Sequence, residues 1–197
     1  MRPQLVDRAA AWAESVGFAK SCLDEVGALL HVLAGSVTAG RIADIGTGVG
    51  VSAAWMASAT SLDVFTVDND ALRGGGLRRL FADTPQVHPM LGDWTGILQE
   101  APFRMAFVDA GPAKLAGIDR LVQAMELGGL LVLDDLTPVE FWPDEWKGRP
   151  DPVRDAWLNH PQLTSIEIRT SLKAAAIIAR RCPELSGTSG RPIASIS

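Results

Sequence analysis

The chain has 197 residues, 47% hydrophobic and 21% charged, with 18 basic against 23 acidic side chains and a formal net charge of −5. That length suits one domain with a sizeable core and is short for two. A mildly acidic chain without a basic run is a poor match for a duplex phosphate backbone, and no apolar run nears the roughly 20 residues that a bilayer crossing needs.

Two distant cysteines, Cys22 and Cys182, form neither a disulfide framework nor a metal-ligand spacing. Met1 to Glu14 holds no apolar leader core. The expectation is a cytoplasmic protein with no membrane partner and no nucleic-acid partner.

In chain order, Leu5, Ala9, Trp12 and Val16 recur at helical spacing over 4–16. Leu23, Val26, Leu29, Leu30 and Leu33 do the same over 23–33, with Ser21 placed to cap that helix. Arg41 to Ile45 is a short apolar run closing on Gly46, followed by a helix-like stretch over 51–59. Further strand-like runs cover 64–67, 87–91, 105–108 and 130–133, and they end near Asp68, Gly92-Asp93, Asp109 and Asp134-Asp135. A helical stretch over 118–127 stops at Gly128-Gly129. Apolar strands alternating with helices predict an α/β fold with a parallel sheet covered on both faces.

Past the fifth run the character changes. Residues 137–161 hold five prolines and three tryptophans and read as a loop, then a helix around 153–158. The runs 163–169 and 174–180 read as an antiparallel pair closing the sheet. There is no internal repeat, and Gly74-Gly75-Gly76 is the one low-complexity run. The expected organisation is a single domain over 1–182, with N-terminal helices in 1–38, a substrate-side lid over 137–161 and a loose tail over 183–197.

Ligands of open α/β sheets bind outside the carboxyl ends of the strands, and this chain concentrates Asp on that rim. Asp44-Ile45-Gly46-Thr47-Gly48-Val49-Gly50-Val51-Ser52 lies between a strand and a helix, where glycines let backbone approach a ligand and the helix start offers N–H groups. The spacing is G-x-G-x-G. The sixth position from Gly46 is Val51, too large for a dinucleotide fingerprint, and no Gly-Lys-Ser/Thr marks a P-loop. Asp68 follows Gly46 by 22 residues and can accept both hydroxyls of a ribose. Asp93 can accept from an adenine amino group, and Trp94 can stack on its ring. Each feature alone also fits a tight turn or a helix cap; all of them at strand ends point to an adenosine-bearing cofactor.

These segments resemble the class I S-adenosylmethionine-dependent methyltransferases, in particular the small O-methyltransferases related to catechol and caffeoyl-CoA methyltransferases. The likeness rests on 42–55, Phe65-Thr66-Val67-Asp68, Leu91-Gly92-Asp93, Phe107-Val108-Asp109-Ala110 and 127–135. Glu25-Val26-Gly27 sits where that family approaches the methionine end of the cofactor. The resemblance implies a Rossmann-like, seven-stranded, mostly parallel sheet with the last strand antiparallel and helices on both faces. It implies S-adenosylmethionine as cofactor, with Asp44 and Ser52 near its amino and carboxylate groups and Gly46, Thr47, Gly48 and Gly50 along its backbone-facing side. Asp68 with Asn69 would hold the ribose, and Gly92, Asp93 and Trp94 the adenine. The implied activity is methyl transfer to an oxygen of a small, aromatic-type acceptor. A homodimer, common among relatives of this size, is left open. A dinucleotide oxidoreductase and a cofactor-binding protein without turnover remain the alternatives.

Asp109, Asp134 and Asp135 are oxygen ligands at the ends of adjacent strands, and Mg²⁺ or another divalent cation takes such oxygens. In metal-dependent relatives the trio is Asp, Asp, Asn, so Asp135 adds a charge. Asp109 alternatively touches the cofactor while the other two fix a loop. The Lys that follows the first Asp closely in relatives is displaced: Lys114 comes five residues after Asp109, past Gly111-Pro112. Asp109 and Lys114 are the candidate catalytic residues, with His88 a second candidate base. His31 and His160 read as structural. Trp142 and Trp146 fit either an acceptor contact or a satellite core.

Overall fold

A computed structural model describes residues 2–183, and the tail expected beyond 183 lies outside the described residues. The order is α1 (Gln4–Ser15), α2 (Asp24–Ser36), β1 (Ile42–Ile45), α3 (Val51–Ala57), β2 (Val64–Asp68), α4 (Ala71–Leu80), β3 (Val87–Leu91) and β4 (Phe103–Val108). Then come α5 (Gly111–Leu115), α6 (Ile118–Ala124), β5 (Met125–Leu136), α7 (Pro152–Leu158), β6 (Leu163–Arg169) and β7 (Ala175–Arg181).

One seven-stranded sheet has the order β3-β2-β1-β4-β5-β7-β6. The strands β1 to β5 pair in parallel, and β7 runs antiparallel between β5 and β6. This is the α/β, Rossmann-like sheet expected, with its last strand reversed. The edge strand β3 carries Pro89, a residue that removes a ladder donor and is tolerated at a sheet margin.

Alternation along the central strands feeds two cores. Ile42, Met105, Phe107 and Val132 face α1 to α4, with Val26, Leu30, Met56 and Leu77. Ala43, Ile45, Ala106, Val108, Leu131 and Leu133 face the other layer, with Leu121, Val122 and Trp157. The helices therefore cover both faces.

Four details depart from or add to the sequence reading. Ser21 does not cap α2, whose start at Leu23 has no side-chain cap. The helix expected to run to 127 ends at Ala124, because Met125 already pairs with Phe103; Gly128 instead occupies a left-handed position where the β4–β5 register shifts. The Gly74-Gly75-Gly76 run, singled out only for its low complexity, is the middle of α4. Each glycine costs a helix about 1 kcal/mol relative to Ala, yet Gly76 is needed: a Cβ there would lie 2.0 Å from the Trp12 ring of α1. Finally, Gly111-Pro112 opens a short helix, α5, with proline in its first turn.

Candidate functional site

The loop after β1 turns on three glycines, Gly46, Gly48 and Gly50, with φ of 96°, 57° and 83°. These left-handed values favour glycine, and space demands it as well. A Cβ on Gly46 would lie 2.8 Å from the Ala110 backbone nitrogen, and one on Gly48 2.8 Å from the Phe18 ring. Beneath the loop, Asp44 is fully buried. Its carboxylate accepts hydrogen bonds from Ser52 Oγ at 3.0 Å and Thr66 Oγ1 at 2.9 Å. Burial pushes its pKa up to about 6 against the pull of these hydroxyls. Asp44 and Ser52 thus bond to each other below the loop. Both side chains are buried there, beneath the loop expected to run along the cofactor. Thr47 Oγ1 is buried in the same loop and meets no hydrogen-bond partner among the described residues.

Asp68, at the end of β2, ties this side together. Its Oδ2 accepts from Gly48 N at 2.9 Å, and its Oδ1 from Asp70 N at 2.9 Å and from Arg73 Nη2 at 2.8 Å. The Arg73 guanidinium also lies over the Phe18 ring, 5.1 Å from its centroid. Asn69 follows directly, in the turn between β2 and α4. Past β3, Gly92 is extended backbone of positive φ, and Asp93 caps a 3-10 turn by accepting from Thr95 N and Oγ1. Those Thr95 hydrogen bonds hold the Asp93 carboxyl below its usual range. Trp94 packs on Gly117 and lies under the Arg120 guanidinium, 5.5 Å away.

The transfer end lies beside Gly46, after β4 and β5. Lys114 Nζ donates to Asp109 Oδ1 at 2.9 Å and to the Asp134 carbonyl at 3.0 Å, and it lies 3.8 Å from Asp135 Oδ2. The α5 helix makes this contact possible by bringing a lysine five residues downstream back over Asp109. Burial raises the Asp109 carboxyl, with Lys114 pulling against it. Burial and then the Asp109 charge push Asp134 up to about 6. Asp135 differs from both. It has a left-handed φ of 63°, and its side chain is 85% exposed.

The donor set expected for Mg²⁺ does not come together here. Among the described residues no group of three or more His, Cys, Asp or Glu is arranged to hold a metal ion. The Lys114 ammonium bonds the Asp109 carboxylate and the Asp134 backbone carbonyl, and Asp135 opens to solvent, so no step is assigned to a cation. His88 is also displaced. It sits near the amino end of β3, bonded to Asp63 at 2.7 Å and stacked on Phe65, on the opposite side of the sheet from the strand ends. His31 bonds the Trp55 carbonyl, and His160 bonds Asp119 and Gln162 N, both structural arrangements. Gly27 is explained by packing, because a Cβ there would lie 2.1 Å from the Trp55 indole nitrogen. Trp142 and Trp146 form an edge-on pair, and the Trp142 indole donates to the Thr137 carbonyl under Arg154.

Sequence reasoning missed three residues of this site. Phe18 and Cys22 come from the α1–α2 connection. The Cys22 thiol is pushed well up by burial and then by the charges of Asp134, Asp44 and Asp109. The same connection walls a cavity of about 430 Å³ that also touches Val51, the first residue of α3. Arg73 is the third, in the first turn of α4 and five residues after the Asp68 it bonds.

The chain matches no protein-family model and no curated protein. Solved structures share its architecture. The O-methyltransferase TomG from Streptomyces achromogenes, in complex with SAM, aligns with a TM-score of 0.75 at 22% identity, over 93% of this chain and 92% of that one. An O-methyltransferase from Bacillus cereus in complex with SAH gives 0.75 at 18% identity, over 92% of each chain. An rRNA methylase from Streptococcus thermophilus gives 0.60 at 16% identity, over 79% of this chain and 95% of that one. The chain has the methyltransferase fold. Because proteins named for oxygen and for ribosomal RNA share it, the acceptor has to be argued from this chain's own site. Among the described residues no helix is long and apolar enough to cross a membrane.

Proposed function

We propose that the chain is an S-adenosylmethionine-dependent O-methyltransferase acting on a small molecule. One observation carries the reading: the G-x-G-x-G turn is held by Asp68 at its rim, with Asp44 bonding the start of α3 through Ser52 beneath it, at the carboxyl ends of β1 and β2. Backbone at Gly46, Thr47, Gly48 and Gly50 would face the cofactor, and the unpartnered Thr47 hydroxyl supplies a further polar contact. Asp68 and Asn69 would take the ribose, with Gly92, Asp93 and Trp94 on the adenine side. A ligand seated there would meet Phe18 over Gly48 and Arg73 on Asp68. Asp44 and Ser52 brace the loop instead of touching the ligand.

The cofactor would supply a methyl group on a sulfonium sulfur, and its transfer breaks the S–C bond, forms an O–C bond and leaves the electron pair on sulfur. The protein's share is mainly to position the acceptor in line and exclude water. Asp109 and Lys114 stand at that end, and 137–161 is the segment we assign to the acceptor. The acidic balance of the chain favours a small acceptor over nucleic acid. Two free cysteines suit a cytoplasmic setting. Pairing into a homodimer fits this reading without being required by it.

Calorimetric titration of S-adenosylhomocysteine into the purified chain tests the proposal. Micromolar binding is the expected result. No binding would reduce the glycine turn to a connection and end the reading.

A further inference from the structure

The transfer end holds an ammonium where the family resemblance places a divalent ion. Lys114 Nζ donates to the Asp109 carboxylate at 2.9 Å and to the Asp134 backbone carbonyl at 3.0 Å, and the Asp135 carboxylate lies 3.8 Å away; these are the three residues assigned to that ion. The arrangement is built from several sides. Proline in the first turn of α5 sets the helix, and the helix aims Lys114 at Asp109. The fully buried Trp157 of α7 donates its indole N–H to the Lys114 carbonyl and pins α5 from the far side. The lysine side chain is only 12% exposed, so its charge acts with little solvent screening.

An ammonium has three N–H donors. Two are spent on Asp109 Oδ1 and the Asp134 carbonyl. At 3.8 Å, Asp135 Oδ2 is an ion-pair neighbour and not a hydrogen-bond acceptor. One donor is left over. A divalent ion can chelate two adjacent oxygens of an acceptor, whereas a single N–H receives one.

We infer that Lys114 is the resident cation of the transfer end, in place of a divalent metal ion, and that its third N–H receives the single acidic oxygen of a phenol-type acceptor. This rests on the methyltransferase reading above. The acceptor's hydroxyl proton leaves to water. Its oxygen pair then forms the new O–C bond, the S–C pair returns to sulfur, and the sulfonium and oxyanion charges cancel. Lys114 keeps its protons throughout, and no metal enters the balance.

The test uses the full chain with S-adenosylhomocysteine present, and Mn²⁺ as probe, followed by the paramagnetic resonance signal of the free ion. Lys114→Met removes the charge at similar length, and Lys114→Arg keeps a cation. Wild type and Lys114→Arg are expected to leave Mn²⁺ free, while Lys114→Met, with its carboxylates uncompensated, binds it at least tenfold more tightly. One Mn²⁺ per chain bound by the wild type at tens of micromolar overturns the inference, as does Mn²⁺ binding that is the same in wild type and Lys114→Met.

The acceptor half is read from the absorbance of 4-nitrophenol and 4-nitrocatechol. The expected result is a phenolate shift for both with wild type, and at least a tenfold loss of nitrophenol affinity in Lys114→Met. No shift for nitrophenol, or a shift unchanged in Lys114→Met, overturns it. S-adenosylhomocysteine titration of each protein separates the two levels. Bound cofactor product with an unfavourable Mn²⁺ result sinks only this inference, whereas its failure to bind the wild type sinks the methyltransferase reading itself.

Discussion

The two ends of the site are built by different means. On the nucleotide side, contiguous chain does the work: β1, three left-handed glycines and α3 follow one another, and Asp68 reaches back to Gly48 from the neighbouring strand. On the transfer side the parts come from α5 and β5, and α7 anchors them from a distance. The first end is made of backbone and tolerates little change in shape. The second is made of side-chain charge and tolerates changes of shape better than changes of sign.

Gly46 is where the two meet, because its missing Cβ faces the backbone of Ala110, next to Asp109. Gly46→Ala combines a strained positive φ with a clash against main chain, and should cost about 2–5 kcal/mol of stability. Urea unfolding measures it. A cost below about 1 kcal/mol would show that the loop and β4 move freely of each other, and the contrast between a rigid and an adjustable end would collapse.

Asp44 sharpens the contrast through pH. A carboxyl raised from 3.8 to about 6 by burial favours the folded state while protonated. That contribution is fully present below about pH 4 and is lost as pH rises through about 6. Its full size is about 3 kcal/mol. Asp44→Asn cannot ionise, so its stability relative to wild type should rise by that amount between pH 4 and pH 7. The lost acceptor adds an offset that does not vary with pH, which leaves the slope as the readout. A flat difference would mean that Asp44 is not held in the low-dielectric setting its burial implies.

Asp68→Ala probes the rim of the same end. Loss of hydrogen bonds from a charged acceptor is worth about 1–3 kcal/mol, so S-adenosylhomocysteine affinity should fall roughly ten- to a hundredfold, with Lys114 and its partners undisturbed. Unchanged affinity would remove the ribose assignment. Arg73→Ala is expected to move the other way, because it frees an oxygen of Asp68 that the guanidinium now occupies.

The same division explains what the sequence discloses. The five parallel strands were legible because each is a short apolar run ending in a carboxylate or glycine, and the glycine turn because its parts are adjacent. The α4 helix was hidden by glycines whose purpose, at Gly76, is to admit Trp12 from a helix some sixty residues earlier. Lys114 looked displaced because its reach depends on α5, a five-residue helix with too little periodicity to read. Phe18 carries no signal of its own, since the packing of α1 and α2 alone brings its ring over Gly48. The Asp, Asp, Asp trio suggested a metal because spacing along the chain cannot show an ammonium arriving at Asp109.

Trp157 gives the smallest expected effect and the narrowest test of the transfer end. Its ring is fully buried, and its indole N–H is the bond that fixes the Lys114 carbonyl. Trp157→Phe keeps most of the apolar volume and deletes that donor, leaving one buried carbonyl short of a partner at a cost of about 1 kcal/mol. The nucleotide end is remote from this bond, so S-adenosylhomocysteine affinity should stay within about twofold of wild type, well under the 1.4 kcal/mol of a tenfold change. Binding of nitrophenol should weaken severalfold, since α5 then holds Lys114 less firmly against Asp109. Equal losses at both ends would mean that α7 supports the domain as a whole. A loss confined to the phenol would show that the lysine's position, and not only its charge, is what the protein has built.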